Sequence, residues 1–334
     1  MKKIVLIIPY FGKFPNYFQL FLNSCGQNET IDWIIFTDID DEFQYPGNVR
    51  RVLISFSELR KKIQKKFDFA INLEKPYKLC DYKPAYGYIF EEFIKGYDFW
   101  GYCDIDLLFG DLRKFLPDDL LESYDKIGYL GHLSICRNNK EMREAFRKSY
   151  QGLVRYKEVF STDAICIFDE WGYPSIHHIL LSNGFKIKLW DKFLDIYPYD
   201  DQLKQVTQKI TATKPEKRKE IISKQPVIAM IKSGHVYSVK KIRGQLKKEE
   251  VAYVHFQKRD MNMSMLNNED EFVCLPDCFI SLSSNQAEQQ IKKALRKKII
   301  NKKRIKWEYA NARYWLIEKS GPVRHKFRSL VSGK

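Results

Sequence analysis

An α/β fold with a mixed central sheet and a C-terminal helical extension is predicted for this chain by three features of its sequence. Over residues 1–100, apolar β-favouring runs alternate with segments of helical rhythm. Acidic and polar residues gather just after the ends of those runs, where ligands bind in open α/β sheets. After Asn285 the pattern becomes that of a basic amphipathic helix.

The elements follow in order. Ile4 to Ile8 is an unbroken β-favouring run stopped by Pro9, the form of a buried parallel strand. Tyr17 to Ser24 reads as a helix. Asp32 to Thr37 is a second strand opening into Asp38, Asp40 and Asp41, and Val49 to Ile54 is a third. Ser55 and Glu58 have capping-box spacing at the head of a helix reaching Phe67. Lys83 to Phe93 is predicted helical with Pro84 in its first turn, and Tyr97 to Tyr102 is a short apolar strand running into Asp104. Residues 127–194 mix strands with a helix around Lys140 to Tyr150. The Lys-rich stretch 202–225 is expected to leave the domain as a polar excursion. Pro226 to Ile231, Val236 to Val239 and Val251 to Phe256 return to the core as strands. One domain is thus expected over 1–284, with a basic extension over 285–334.

Composition narrows the function. With 44% hydrophobic and 15% aromatic residues, the chain of 334 residues can bury a sizeable core. The net charge of +15 is unevenly spread: residues 285–334 carry 15 Lys or Arg against three Glu, leaving about +3 on the rest. A nearly neutral body argues against nucleic acid, and a basic tail suits an anionic surface. The first strand is followed by no G-x-G-x-x-G and no Walker A sequence, which removes the main support for dinucleotide and P-loop readings. The seven cysteines form no C-x-x-C array. Their odd number, with no export cleavage site after MKKIVLIIPYFGKFP, points to the reducing cytosol.

The most informative segment is DFWGYCDIDLLFGD, Asp98 to Asp111. Asp104 and Asp106 bracket Ile105 at the end of an apolar strand. Residues two apart in extended chain share a face, so both carboxylates can meet one cation while Ile105 points to the core. Two hard oxygen donors suit Mg²⁺ or Mn²⁺, which keeps substrate phosphates among its ligands.

The stretch YKLCDYKPAYGYIFEEFIKGYDFWGYCDIDLLFGDL, Tyr77 to Leu112, resembles the signature of a bacterial family found among capsule and O-antigen genes. Its pattern is K-x-x-D-x-K-P-A-Y-G followed by W-G-x-x-D-x-D-x-x-x-G-D. The opening IIPYFGKFPNYFQLFLNSC and the later GHLSICRN also fit, so the resemblance spans roughly Met1 to Phe256. Members are regarded as GT-A glycosyltransferases, distantly similar to enzymes that use UDP-galactose or UDP-glucose. The resemblance implies that Asp104 and Asp106 bind the metal and that His255 completes its shell. It implies a role for Asp81 near the donor ribose or sugar, and one for Lys83 near phosphate or sugar hydroxyls. It places the nucleotide base at Pro9, Tyr10 and Phe11.

Other residues are read from their chemistry. Asp38 can accept from a uracil N–H or a ribose hydroxyl, or close an Asx turn. Lys258 can offset charge on a departing diphosphate. On the acceptor side stand His132 and Asp163; Asp163 can orient a hydroxyl or take its proton, or with Thr162 simply cap a following helix. Asp81 can alternatively cap the helix beginning after Lys83, though it sits slightly early for that. Trp171 and Trp190 are either sugar-stacking platforms or core.

The expected activity is transfer of a hexose from a UDP-sugar to a hydroxyl of a capsule, O-antigen or polyprenyl-diphosphate-linked glycan at the cytoplasmic face of the membrane. In the tail, Ile291, Leu295, Ile299 and Ile300 can share one helical face ringed by Lys and Arg. That pattern fits a helix in an anionic membrane interface or one docked on the domain. The competing readings are a non-catalytic carbohydrate-binding or scaffold protein and a sugar-phosphate nucleotidyltransferase. The latter needs a basic glycine-rich loop, of which only Gly12 and Lys13 are present.

Overall fold

The computed structural model describes residues 1–197, 202–210, 218–223, 225–296, 305, 306 and 309. Its central element is a seven-stranded mixed sheet. From edge to edge its strands are Val49–Leu53, Ile31–Thr37, Ile4–Pro9, Phe99–Cys103, Leu133–Arg137, Lys126–Ile127 and Ile187–Lys188. The first four run parallel, and Leu133–Arg137 lies antiparallel to both its neighbours.

The strand Ile4–Pro9 shows why the run carries no polar alternation. Val5 and Ile7 enter the core on one face with Ile34 and Phe36, while Ile4, Leu6 and Ile8 enter the other with Phe18, Phe21 and Trp33. Both faces are covered, so every position must be apolar. The helix Phe18–Gly26 covers one face. The other is covered partly by the helix Phe56–Gln64, whose capping box forms as expected: Glu58 N–H donates to Ser55 Oγ, and Ser55 N–H donates to Glu58 Oε2.

Two predicted helices are shorter and more broken than expected. Lys83 to Phe93 consists of a 3₁₀ turn at Lys83–Ala85, one α turn at Tyr86–Ile89 and a second 3₁₀ turn at Glu91–Phe93. Tertiary packing overrides helical rhythm here. Gly87 sits against the Trp100 indole, where a β-carbon would come within 2.4 Å of Cε2. The helix around Lys140 to Tyr150 stops at Arg143, capped at its head by Asn139, and only a 3₁₀ turn follows at Ala145–Arg147.

The stretch 202–225 also differs from expectation. Gln202–Ile210 and Arg218–Ile222 pair antiparallel and join Phe193–Tyr197, Tyr253–His255 and Leu107–Phe109 in a five-stranded sheet. Its polar composition hides a strand buried on both faces: Leu203 enters the core on one side and Val206 on the other, and the buried Gln205 bonds Glu249 and Ser238. A six-stranded sheet completes the fold, running Gln245–Val251, His235–Ile242, Ile228–Lys232, Glu271–Cys274, Cys278–Ser281 and Asn262–Met265.

Of the basic tail, the helix Ala287–Ala294 is described. Ala287 and Leu295 are buried against Ile228, Met230, Val273 and Ile280, with Ile291 packed beside them. The start of the tail therefore docks on the six-stranded sheet. Ile299 and Ile300 lie outside the described residues, and no described helix is long and apolar enough to cross a membrane.

Candidate metal centre and cleft

The central strand Phe99–Cys103 ends one residue before Asp104. The chain then bends through Asp104, Ile105 and Asp106 and resumes as Leu107–Phe109 in the five-stranded sheet. The acidic pair therefore occupies a junction between two sheets rather than an extended strand. Ile105 does turn into the core, as expected. Across the junction, Tyr253–His255 pairs antiparallel with Leu107–Phe109, and Phe256 N–H donates to the Asp106 carbonyl. That pairing carries His255 to the acids from about 150 residues away.

Asp106 is buried. Its Oδ2 accepts from the Lys258 backbone N–H at 2.5 Å and lies 3.4 Å from His255 Nε2. Lys258 presents that N–H because Gln257 and Lys258 both adopt left-handed backbone, at φ 56° and 57°. For side chains with a β-carbon this costs on the order of 1–3 kcal/mol each. Burial pushes the Asp106 carboxyl up, but the adjacent His255 and the Lys258 N–H outweigh it and hold the group well below the usual carboxylate range. Burial likewise works against charging His255, yet Asp106 and Asp195 raise it well above an ordinary imidazole.

Asp106 Oδ1 is buried and has no hydrogen-bond partner among the described residues. An orphaned carboxylate oxygen is costly unless a cation meets it. Ligand atoms of Asp104, Asp106 and His255 all lie within 4.8 Å of one another. Small side-chain movements would bring two carboxylates and an imidazole to the ~2.1 Å bonds of a hard divalent ion. These residues fit such an ion. His132, Asp195 and His255 form a second group with the same spread. There, however, the His132 and His255 rings stack with centroids 4.5 Å apart and planes 22° apart. Lone pairs lie in the ring plane, so stacked rings aim theirs side by side rather than at one ion. The group containing both acids is the better chelate.

Asp104 is half-buried and faces a cleft of about 520 Å³. Its Oδ1 accepts from Lys83 Nζ at 2.7 Å, and the same ammonium donates to the Gly131 carbonyl and lies 3.6 Å from Asp169 Oδ2. Burial opposes the Lys83 charge, but Asp104 and Asp169 hold its pKa well above the ordinary value. Asp169 is pushed up to about 8, chiefly by burial. Gly131 allows this crowding, since a β-carbon there would stand 2.2 Å from Asp169 Oδ2.

Pro9, Tyr10, Phe11, Lys83, Asp104, Asp106 and Lys258 all line the cleft. Lys258 Nζ sits 4.3 Å from the centre of the Tyr77 ring. His255 stands just behind the acids. Four expected residues lie elsewhere. Asp38 is exposed outside the cleft, where the chain turns on Thr37 Oγ1 instead. Asp163 is exposed outside it as well; Thr162 caps a local turn onto Ala164, and the next helix begins only at Ile176, so neither residue caps it. His132 is buried beneath the site with neither ring nitrogen hydrogen-bonded among the described residues, and burial keeps it well below an ordinary histidine pKa. Asp81 is wholly buried, and its oxygens are taken by Lys78 Nζ and by the N–H groups of Cys166 and Phe168. It is neither helix cap nor cleft residue. Trp190 is core, whereas Trp171 is exposed and lines the cleft.

Three acids went unnoticed in the sequence. Asp169 and Glu170 line the cleft, and Glu170 accepts from Gly131 N–H. Asp195 accepts from His255 Nδ1 at 3.0 Å and from Gln257 Nε2. An acid inside the apolar runs ICIFDEWG and FLDIY was the available signal in each case.

Residues 6–283 match the family of unknown function DUF6625, so the chain belongs to that family. No curated protein matches it by sequence. Among solved structures it is distantly similar to the galactosyltransferase LgtC in complex with donor and acceptor sugar analogs, and to an active-site mutant of LgtC. Each is 15% identical, with 59% of this chain and 76% of that chain covered and a TM-score of 0.33.

Proposed function

We propose that this DUF6625 protein is a divalent-metal-dependent glycosyltransferase with a GT-A fold. Its substrate is a UDP-sugar, with galactose or glucose as the transferred hexose. The acceptor is a hydroxyl of a surface glycan or of its polyprenyl-diphosphate-linked precursor. The observation that carries this reading is the orphaned, buried Oδ1 of Asp106 standing with Asp104 and His255 at the wall of a cleft of about 520 Å³.

Mn²⁺ or Mg²⁺ held by Asp104, Asp106 and His255 would supply Lewis-acid neutralisation of the charge that builds on the leaving diphosphate. The chain's own residues do the rest. Lys83 and Lys258 bring two ammonium groups to the same wall, where they lower the cost of a departing anion. Pro9, Tyr10 and Phe11 offer apolar and aromatic surface for a base at the end of the first strand. Asp169 and Glu170 place carboxyl groups where sugar hydroxyls can donate. The helix Ala287–Ala294 at the start of the tail is docked on the six-stranded sheet; the net +12 over 285–334 is proposed to draw the enzyme electrostatically to an anionic membrane surface on the cytoplasmic side, near a lipid-linked acceptor.

Calorimetry with UDP and Mn²⁺ tests the reading. Wild-type protein is expected to bind UDP only when the metal is present, and Asp104→Asn and Asp106→Asn to lose that binding while remaining folded. Unchanged affinity in both variants would remove the site.

A further inference from the structure

The buried pair of Lys78 and Asp81 has no place at the metal, yet it holds together two segments that both reach the cleft. Lys78 Nζ lies 2.8 Å from Asp81 Oδ2 and donates also to the carbonyl of Ala164. Asp81 accepts from Cys166 N–H at 2.9 Å and from Phe168 N–H at 3.0 Å. Between those two amides, Ile167 is held in left-handed backbone at φ 52°, a conformation that a β-branched residue adopts only under constraint. The Ile167 carbonyl then closes the turn by accepting from the N–H groups of Glu170 and Gly172. One ion pair thus fixes the turn carrying Tyr77, next to Lys78, against the loop carrying Ile165, Asp169, Glu170 and Trp171.

This clasped loop presents an unusual surface. Tyr77 is 61% exposed, Trp171 59% and Ile165 41%, and all three line the cleft that holds the acidic pair. Large apolar groups left in water on a firmly pinned loop mark a ligand surface, because floppy segments gain nothing from holding them out. Beside them lie the carboxyl groups of Asp169 and Glu170. Flat aromatic area next to hydrogen-bond acceptors is the chemistry that recognises a pyranose: its C–H face packs on the ring and its hydroxyl edge donates.

We infer that Tyr77 and Trp171 form the acceptor subsite, a stacking platform for a neutral hexopyranoside at the end of the acceptor glycan, held in place by the Lys78–Asp81 clasp. This rests on the reading of the cleft as a sugar-transfer site, but the subsite can be probed without nucleotide or metal.

Saturation-transfer NMR on the full chain, with methyl β-D-galactopyranoside, methyl α-D-glucopyranoside and the open-chain polyol sorbitol as probes, tests it. Irradiating the aromatic protons is expected to label C–H protons of at least one pyranoside and leave sorbitol dark. Trp171→Ala and Tyr77→Ala should each cut the transfer about fivefold, whereas Trp171→Phe keeps most of it. Calorimetry of UDP with Mn²⁺ on Trp171→Ala should match wild type, which separates this subsite from the donor reading. Equal transfer in wild type and Trp171→Ala, labelling of sorbitol as strong as that of the pyranosides, or no transfer to either pyranoside would each overturn the assignment.

Discussion

Asp195 stands opposite His255 in the parallel pairing of their strands, with its Oδ1 3.0 Å from His255 Nδ1. The other ring nitrogen, Nε2, faces Asp106. A carboxylate on one imidazole nitrogen fixes the tautomer and turns the other nitrogen toward a metal. Asp195→Ala is therefore expected to weaken Mn²⁺-dependent UDP binding by about 10- to 100-fold without removing any ligand. Asp195→Asn keeps an acceptor for Nδ1–H and should lose less. Calorimetric affinities equal to wild type in both variants would show that Asp195 serves packing alone.

The orphaned oxygen of Asp106 makes a prediction about stability. An ion that binds only the folded chain raises its melting temperature by mass action. Mn²⁺ is expected to raise the melting temperature of the wild-type protein, UDP to raise it further, and EDTA to reverse both. Asp106→Asn should melt at one temperature under all three conditions in differential scanning fluorimetry. A metal response that persists in Asp106→Asn would place the ion elsewhere.

Lys126 supplies a pH prediction away from the cleft. Its ammonium is buried, donating to the Gly128 carbonyl and to Ser134 Oγ, and burial lowers its pKa to about 8. The unfolded chain holds that proton up to about pH 10.4. Between about pH 8 and 10.4 the unfolded state thus binds more protons than the folded one, and this group makes stability rise with pH across that window. Below about pH 8 the penalty is present in full, on the order of 3 kcal/mol. Urea unfolding of Lys126→Met should lack this rise. Parallel stability–pH curves for wild type and variant between pH 8 and 10 would refute it.

How much of this was legible beforehand depended on whether the determining contacts were local. The first strand, the Ser55–Glu58 capping box and the acidic pair rest on residues within a few positions of each other, and each stood out in the sequence. The broken helix after Lys83 did not, because Gly87 answers to the Trp100 indole packed against it. The burial of Asp81 is illegible locally for the same reason: its partners Cys166 and Phe168 lie more than 80 residues on. His255 is marked by a family resemblance, but Asp195 behind it depends on which strand pairs with Tyr253–His255. The stretch 202–225 reads as polar because part of its buried surface is carried by Gln205, which bonds Glu249 and Ser238 within the fold.

The clasp beneath the aromatic platform can be tested by what its loss releases. Removing Lys78 leaves a charged Asp81 buried with two backbone donors and no counter-ion, and breaking a buried pair from one side typically costs about 3–5 kcal/mol. Lys78→Met is expected to destabilise the protein on that scale. The effect should also be local. The amides of Cys166 and Phe168, which donate to Asp81, should lose hydrogen-exchange protection by more than amides of the first strand do, because the loop they anchor opens before the sheet does. A purely global loss, equal at Cys166, Phe168 and Leu6, would mean that the pair supports the core and does not specifically hold the loop. The double variant Lys78→Met with Asp81→Asn removes the uncompensated charge as well, and should regain part of the stability while the two amides stay exposed. If protection at Cys166 and Phe168 returned along with the stability, the loop would be held by something other than this ion pair, and the platform on it would need a different support.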